Sequence, residues 1–175
     1  MKTMAISLFA MLCASTAAAQ TSYSVVGAGC VPTGQTSAAQ THFDTAGDVA
    51  FAAGKVGEII VTCPVPQSLI SATKLSVTFR DTDGRDAAAR VSASLRQKDL
   101  LTARASNVGT AKVDSNLQDA TSSYASMTAN IGTSGCGEFT FDHSRFAYYV
   151  QVNLKRTNAS AQAILASVRL WTPEC

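Results

Sequence analysis

The chain carries little charge. Only 15% of its 175 residues are Asp, Glu, Lys or Arg, which excludes a disordered polyelectrolyte, and a 46% hydrophobic share argues for a folded globule. Basic and acidic side chains nearly cancel, at 14 against 12, so nothing draws the chain over long range toward nucleic acid or anionic lipid. Nucleic acid drops out as a partner. Arg80, Arg85, Arg90, Arg96 and Arg104 do not restore it, because Asp81, Asp83, Asp86 and Asp99 are interleaved with them, the pattern of a solvated mixed-charge face. After residue 20 no stretch approaches the roughly 20 apolar residues of a spanning helix, which argues against membrane insertion of the mature chain. There is no Gly-x-Ser-x-Gly elbow and no glycine-rich loop leading from a strand into a helix. No two cysteines lie close together and the two histidines are remote from them, so zinc-ligand spacing is absent. Aromatic residues make up 7% of the chain, with one Trp, which does not by itself indicate a sugar-stacking platform.

What is present begins with an export signal. Met1-Lys2 is a short basic start, Met4 to Cys13 an apolar run, and Ala17-Ala18-Ala19 a small-residue cleavage pattern. Residues 1–19 are therefore expected to be a signal peptide, and residues 20–175 a single secreted or periplasmic domain. Cys13 leaves with the leader, so Cys30, Cys63, Cys136 and Cys175 remain, and an even count in an exported chain predicts two disulfides. Three connectivities are possible. Neighbour pairing, Cys30–Cys63 and Cys136–Cys175, is preferred because sequential elements tend to be adjacent in space.

The dominant pattern is short runs of period-two alternation broken by Gly, Asp, Asn and Pro. Residues 23–28, 48–52, 58–63, 73–80, 138–142, 146–154 and 163–171 read as strands, the clearest being Thr73 to Arg80, with Leu75, Val77 and Phe79 on one face. Residues 31–46 read as a long loop. Residues 117–130 read as a loop or weak strand. Asp86 to Ala105 fits either a capped amphipathic helix or a strand, and strict alternation over Arg90 to Arg96, with serines at 92 and 94, favours the strand. The last two long strands are expected to form a hairpin through residues 156–160. Together these predict an all-β fold: an antiparallel two-sheet β-sandwich of jelly-roll or immunoglobulin-like type, with about eight to ten strands.

Asp81-Thr82-Asp83-Gly84-Arg85-Asp86 is the sharpest motif. Carboxylates at alternate positions ahead of a glycine suit a calcium loop, with Asp81, Asp83 and Asp86 as ligands and Asp114 donating from elsewhere; the competing reading is an ordinary β-turn. Calcium is the one cofactor the sequence raises. Candidate ligand-contact aromatics are Tyr124, alone in a polar loop, and Tyr148 or Tyr149, consecutive residues of which one faces the core and the other solvent. Trp171, in the last strand, is expected in the core. Gly132-Thr133-Ser134-Gly135-Cys136, with His42 and Asp81 upstream, has the His…Asp…Ser order of chymotrypsin-like proteases. Thr133 precedes the serine where that family has Asp, and no catalytic residue is assigned. Asp142-His143-Ser144 cannot form a relay, since adjacent strand residues point to opposite faces, and His143 is expected at a surface turn.

Gly29-Cys30-Val31-Pro32, the strand Gly57-x-Ile59-x-Val61-x-Cys63-Pro64 and the turn Thr78-Phe79-Arg80-Asp81-Thr82-Asp83-Gly84 together resemble an exported bacterial domain. The functional expectation is an exported, non-catalytic β-sandwich that binds a protein or carbohydrate ligand or contributes to a surface structure. The alternatives are a pilin-like or adhesin subunit of a surface assembly and a small extracellular hydrolase.

Overall fold

The computed structural model describes residues 22–132 and 137–173. Two antiparallel sheets face one another. One contains β1 (Ser22–Val26), β3 (Thr41–Phe43), β4 (Val49–Phe51), β7 (Lys74–Asp81), β10 (Ala125–Asn130) and β13 (Ala163–Trp171), in the order β10-β7-β13-β4-β3, with β1 also alongside β13. The other contains β2 (Val31–Pro32), β5 (Gly57–Pro64), β8 (Ala89–Asp99), β9 (Ala105–Asp114) and β12 (Phe146–Arg156), in the order β2-β5-β12-β8-β9. A two-stranded ribbon of β6 (Ser71–Ala72) and β11 (Phe139–Thr140) accompanies them.

Alternation builds the core. Leu75, Val77 and Phe79 of β7 and Leu165, Val168 and Leu170 of β13 are buried from one sheet; Ile59 and Val61 of β5, Val91 and Leu95 of β8, and Val150, Val152 and Leu154 of β12 are buried from the other. Side chains one position away point to solvent, so the same period that fills the core also writes two polar outer faces.

The expected all-β sandwich is what the chain forms, with Cys30–Cys63 as a disulfide. That bridge sits where the chain leaves β1 in one sheet, passes a single 3₁₀ turn over Gly27–Gly29, and enters β2 in the other. The expected Cys136–Cys175 bridge lies outside the described residues, as do the leader and Ser134.

Several sequence expectations are corrected. Residues 156–160 do not close a hairpin: β12 pairs with β5 and β8, whereas β13 pairs with β7, β1 and β4 in the opposite sheet. The 138–142 run is a strand only at Phe139–Thr140. The 31–46 loop instead contains β2, helix α1 (Gly34–Gln40) and β3. Helix α1 has a clear task. β2 covers only Val61 and Thr62 of the β5 edge, and beyond it the Ile60 amide donates to Ser37 Oγ (3.0 Å) while the Ile60 carbonyl accepts from Thr33 N–H (2.7 Å). The helix thus satisfies edge groups that would otherwise be open for pairing with another chain.

The ambiguous 86–105 segment is strand over Ala89–Asp99, followed by β9, which the sequence pattern did not indicate. Between Ser94 and Arg96 of β8 the register on β9 jumps from Lys112 to Asn107, so Val108 to Ala111 form an extended bulge. Gly109 lies there at φ +56°, and an added Cβ would collide with the Ile131 carbonyl oxygen. Only glycine permits both the left-handed backbone and the close approach.

Candidate functional site

The outward face of the five-stranded sheet carries a groove of about 500 Å³. Pairing register arranges its side chains in rows across the strands. Glu58, Lys155 and Arg90 form one row; Ile60, Asn153, Ser92 and Asp114 the next; Thr62, Gln151, Ser94 and Lys112 the third; Pro64, Tyr149, Arg96 and Asn107 the fourth. Ser92 and Ser94 are the smallest of these side chains and sit near the middle. Their low relief, between the amides of β12 and the bulged β9, makes a depression in an otherwise flat sheet. Arg90 and Arg96 stand at its two ends along β8, six residues and about 20 Å apart.

The polar groups around the depression are linked to one another. Arg96 Nη1 donates to Gln151 Oε1 (3.3 Å), Gln151 Nε2 donates to Asn153 Oδ1 (3.1 Å), and Asn153 Nδ2 donates to Glu58 Oε1 (3.3 Å). At the other end Arg90 grips Asp114 with two nitrogens, and Lys112 Nζ lies 3.8 Å from the same carboxylate. Burial pushes the Asp114 carboxyl up, but the hydrogen bond and charge of Arg90 outweigh it and hold the group below the usual carboxylate range. The same hydrogen bond raises the Arg90 guanidinium. A depressed carboxyl contributes stability above its unfolded pKa of about 3.9, lost as pH falls through the lower folded value. Thermal melts should therefore show a falling midpoint as pH drops below about 4, with a smaller acid-induced fall in Asp114→Asn. An unchanged acid profile in that variant would remove Asp114 from the account.

The carboxylates suggested for calcium do not converge. Asp81 is buried and accepts the Ser115 hydroxyl and the amides of Asp83 and Gly84 (both 3.0 Å). Asp83 accepts the amides of Ala88 (2.6 Å) and Ala89 (3.3 Å), Asp86 is exposed, and Asp114 holds Arg90. Among the described residues no three His, Cys, Asp or Glu side chains are placed to share an ion. The motif works as a turn, and it joins β7 to β8 in opposing sheets, so it is an arch and not a hairpin.

Of the candidate aromatics, Tyr148 is buried among Phe139, Phe141, His143 and Phe146, and its hydroxyl accepts the Asp142 amide (3.1 Å), so it is core and not contact surface. Tyr149 faces outward, opposite Arg96. Tyr124 is half exposed but committed: its hydroxyl donates to the buried Asp48 carboxylate, which pushes the phenol up to about 12. Trp171 is half-buried on the outer face of the six-stranded sheet, not in the core; its Nε1 donates to Ser76 Oγ (2.8 Å) and Arg169 lies over its ring. His143 is half-buried, stacked on Phe141, with Nε2 donating to the Leu69 carbonyl (2.9 Å). His42 lies on the short strand β3, paired opposite Ala50, while both Asp81 carboxylate oxygens are engaged by Ser115 and the turn amides. Asp81, the carboxylate of the hydrolase reading, is therefore committed to its turn and to Ser115.

The sequence reading missed the groove residues Ser92, Ser94, Gln151 and Asn153. Their signal was the outward half of each alternating strand, which by itself is indistinguishable from ordinary solvated surface.

No family model matches the chain, and no curated protein matches it. Among solved structures it is similar to the CBM36-1 domain of a multidomain xylanase from the hindgut metagenome of Trinervitermes trinervoides, at 12% identity over 88% of this chain and 99% of that one, with a TM-score of 0.44. It is also similar to the low-affinity xylan-binding module CBM86 from Roseburia intestinalis, at 14% identity over 87% of this chain and 96% of that one, with a TM-score of 0.38. A family two carbohydrate esterase from Cellvibrio japonicus matches at 11% identity over 87% of this chain but only 34% of its own length, with a TM-score of 0.38.

Proposed function

We propose that the protein is an exported, non-catalytic binding domain that holds a polyhydroxylated chain, a carbohydrate, in the groove over the five-stranded sheet. The observation that carries this reading is the hydrogen-bonded chain Arg96–Gln151–Asn153–Glu58, which runs across the four rows beside the serine floor. Such a chain holds donors and acceptors in place before a ligand arrives, which lowers the ordering cost of binding. Hydroxyls and amides lining a shallow trough suit a ligand whose surface is itself hydroxyls. The Cys30–Cys63 disulfide supports an oxidising compartment and agrees with the leader expected at residues 1–19. β13 lies inside its sheet, with β7 on one edge and β1 and β4 on the other. That placement supports a completed binding domain over a pilin-like subunit waiting for a donated strand.

The test is affinity electrophoresis against a panel of soluble polysaccharides. The panel includes neutral and acidic chains, and Gln151→Ala/Asn153→Ala is run beside the wild type. At least one polysaccharide should retard the wild type, and the double variant should lose about tenfold or more in affinity with an unchanged melting temperature. Retardation of the variant equal to wild type, or no retardation by any polysaccharide, would overturn the reading.

A further inference from the structure

We propose that the carbohydrate held in this groove is acidic, a chain whose sugar rings carry carboxylates, with Arg96 as its main carboxylate receptor. This rests on the groove being the ligand site proposed above. Four cations line the groove, Arg90, Arg96, Lys112 and Lys155, against the carboxylates of Glu58 and, beside Arg90 and Lys112, Asp114. The whole chain is nearly balanced in charge, so the groove concentrates positive charge that the remainder of the molecule does not share.

Those cations are not equally available. Arg90 is held by Asp114, which Lys112 also approaches. Arg96 and Lys155 have no ion pair among the described residues. Arg96 reaches Gln151 with one terminal nitrogen, while its Nε is buried without a hydrogen-bond partner. A ligand in the groove meets the terminal nitrogens of Arg96, of which only Nη1 is engaged, by Gln151. The planar guanidinium edge matches a carboxylate in two parallel hydrogen bonds, which a sugar hydroxyl cannot supply.

The neutral lining residues point to a saccharide and not to a denser polyanion. Ser92, Ser94, Gln151 and Asn153 lie between the charged ends, and Glu58 and Asp114 share the face. Hydroxyls and amides between separated cations suit ring hydroxyls between spaced carboxylates. A chain with a phosphate on every unit would meet the two acidic groups. None of the lining residues is aromatic, and Tyr149 stands only beside Arg96 at one end, so the serine and amide floor offers no ring for stacking, the usual means of holding uncharged rings. Affinity there has to come from hydrogen bonds and charge.

The experiment is calorimetric titration of the full protein with oligogalacturonate, with its fully methyl-esterified form, and with alginate oligomers, in low and high salt. The esterified chain keeps every ring and loses the charge. An acidic oligomer should bind at least tenfold more tightly than the ester and weaken in high salt. Arg96→Gln should lose about tenfold or more, as should Lys155→Gln, whose exposed side chain leaves folding undisturbed. Lys74→Gln, an equal charge change on the other sheet, should bind as wild type does. If acid and ester bind equally and Gln151→Ala/Asn153→Ala abolishes both, the acidic specificity is wrong while the groove remains a carbohydrate site. If none of these oligomers binds, the acidic proposal fails, and if the neutral polysaccharides fail as well, the carbohydrate reading fails with it. Competition by polyglutamate at the same charge concentration would overturn the saccharide part.

Discussion

Replacing Asp81 by alanine is expected to lower the free energy of unfolding by about 3–5 kcal/mol, among the largest losses available to a single side chain in this molecule. Asp81 closes β7 and is only 1% exposed. One carboxylate oxygen accepts the amides of Asp83 and Gly84, and the other accepts the Ser115 hydroxyl. Ser115 Oγ in turn accepts the Val91 amide, so the carboxylate ties the arch after β7 to the opposite sheet through one serine. Truncation leaves three donors without their acceptor, those of Gly84 and Ser115 buried and that of Asp83 partly so, and each buried group left unpaired costs about 1–3 kcal/mol. Backbone geometry concentrates the loss. Gly84 sits at φ +62°, pressed against the backbone of Ala120, so the turn has no slack with which to find new partners. Asp81→Asn should lose less, since one acceptor oxygen survives, and Ser115→Ala should lose less again. Urea denaturation with unchanged m-values checks the ordering. An Asp81→Ala protein as stable as wild type would show that the arch is not held this way.

Removing the Cys30–Cys63 bridge is expected to cost about 3–4 kcal/mol. The two cysteines are 33 residues apart, and closing a loop of that length restricts the unfolded chain by roughly this amount on the chain-entropy model. Both are buried, so Cys30→Ala/Cys63→Ala also forfeits packing. The loop contains the short helix α1 and three short strands, β2 in one sheet and β3 and β4 in the other. None of them buries enough apolar surface to hold its place alone. The double variant should therefore melt well below the wild type, and a chemical reductant should move the wild type toward it. A double variant melting within a degree or two of the wild type would mean that the short elements are held by their own contacts.

Much of this fold was legible in the chain, for a specific reason. Leu75, Val77 and Phe79 alternate with Lys74, Ser76, Thr78 and Arg80, and Val91 and Leu95 alternate with Ser92, Ser94 and Arg96; a half-buried strand requires that period. β9 was hidden because its bulge at Gly109 breaks the period midway. Helix α1 was hidden because its seven residues, Gly, Gln, Thr, Ser and Ala, carry no apolar stripe, and Thr33 at its start makes no side-chain cap. The false β12–β13 hairpin shows that adjacency along the chain does not choose a sheet: the short link over residues 157–162 crosses from one layer to the other.

The candidate site was less legible than the fold. Arg80, Arg90 and Arg96 read as one mixed-charge stretch, yet β7 carries Arg80 in one sheet while β8 carries Arg90 and Arg96 in the other. Arg85 pairs with Asp119 and Arg90 with Asp114, so of the two arginines on β8 Arg96 is the one without an ion pair among the described residues. Gln151 and Asn153 become part of a site only because register sets them beside Ser94 and Ser92. Register between strands distant in sequence is a property of the folded chain, and no local pattern encodes it.

The most direct test of the groove is to map where a ligand touches the protein. Amide chemical shifts of isotope-labelled protein, followed during titration with the tightest-binding oligosaccharide, report this residue by residue. Saturable shifts are expected at Ser92, Ser94, Arg96, Asn107, Lys112, Gln151 and Asn153, with the outer face of the six-stranded sheet around Ser76, Thr128 and Trp171 silent. Shifts clustered on that second face, with the groove unperturbed, would contradict the groove as the ligand site.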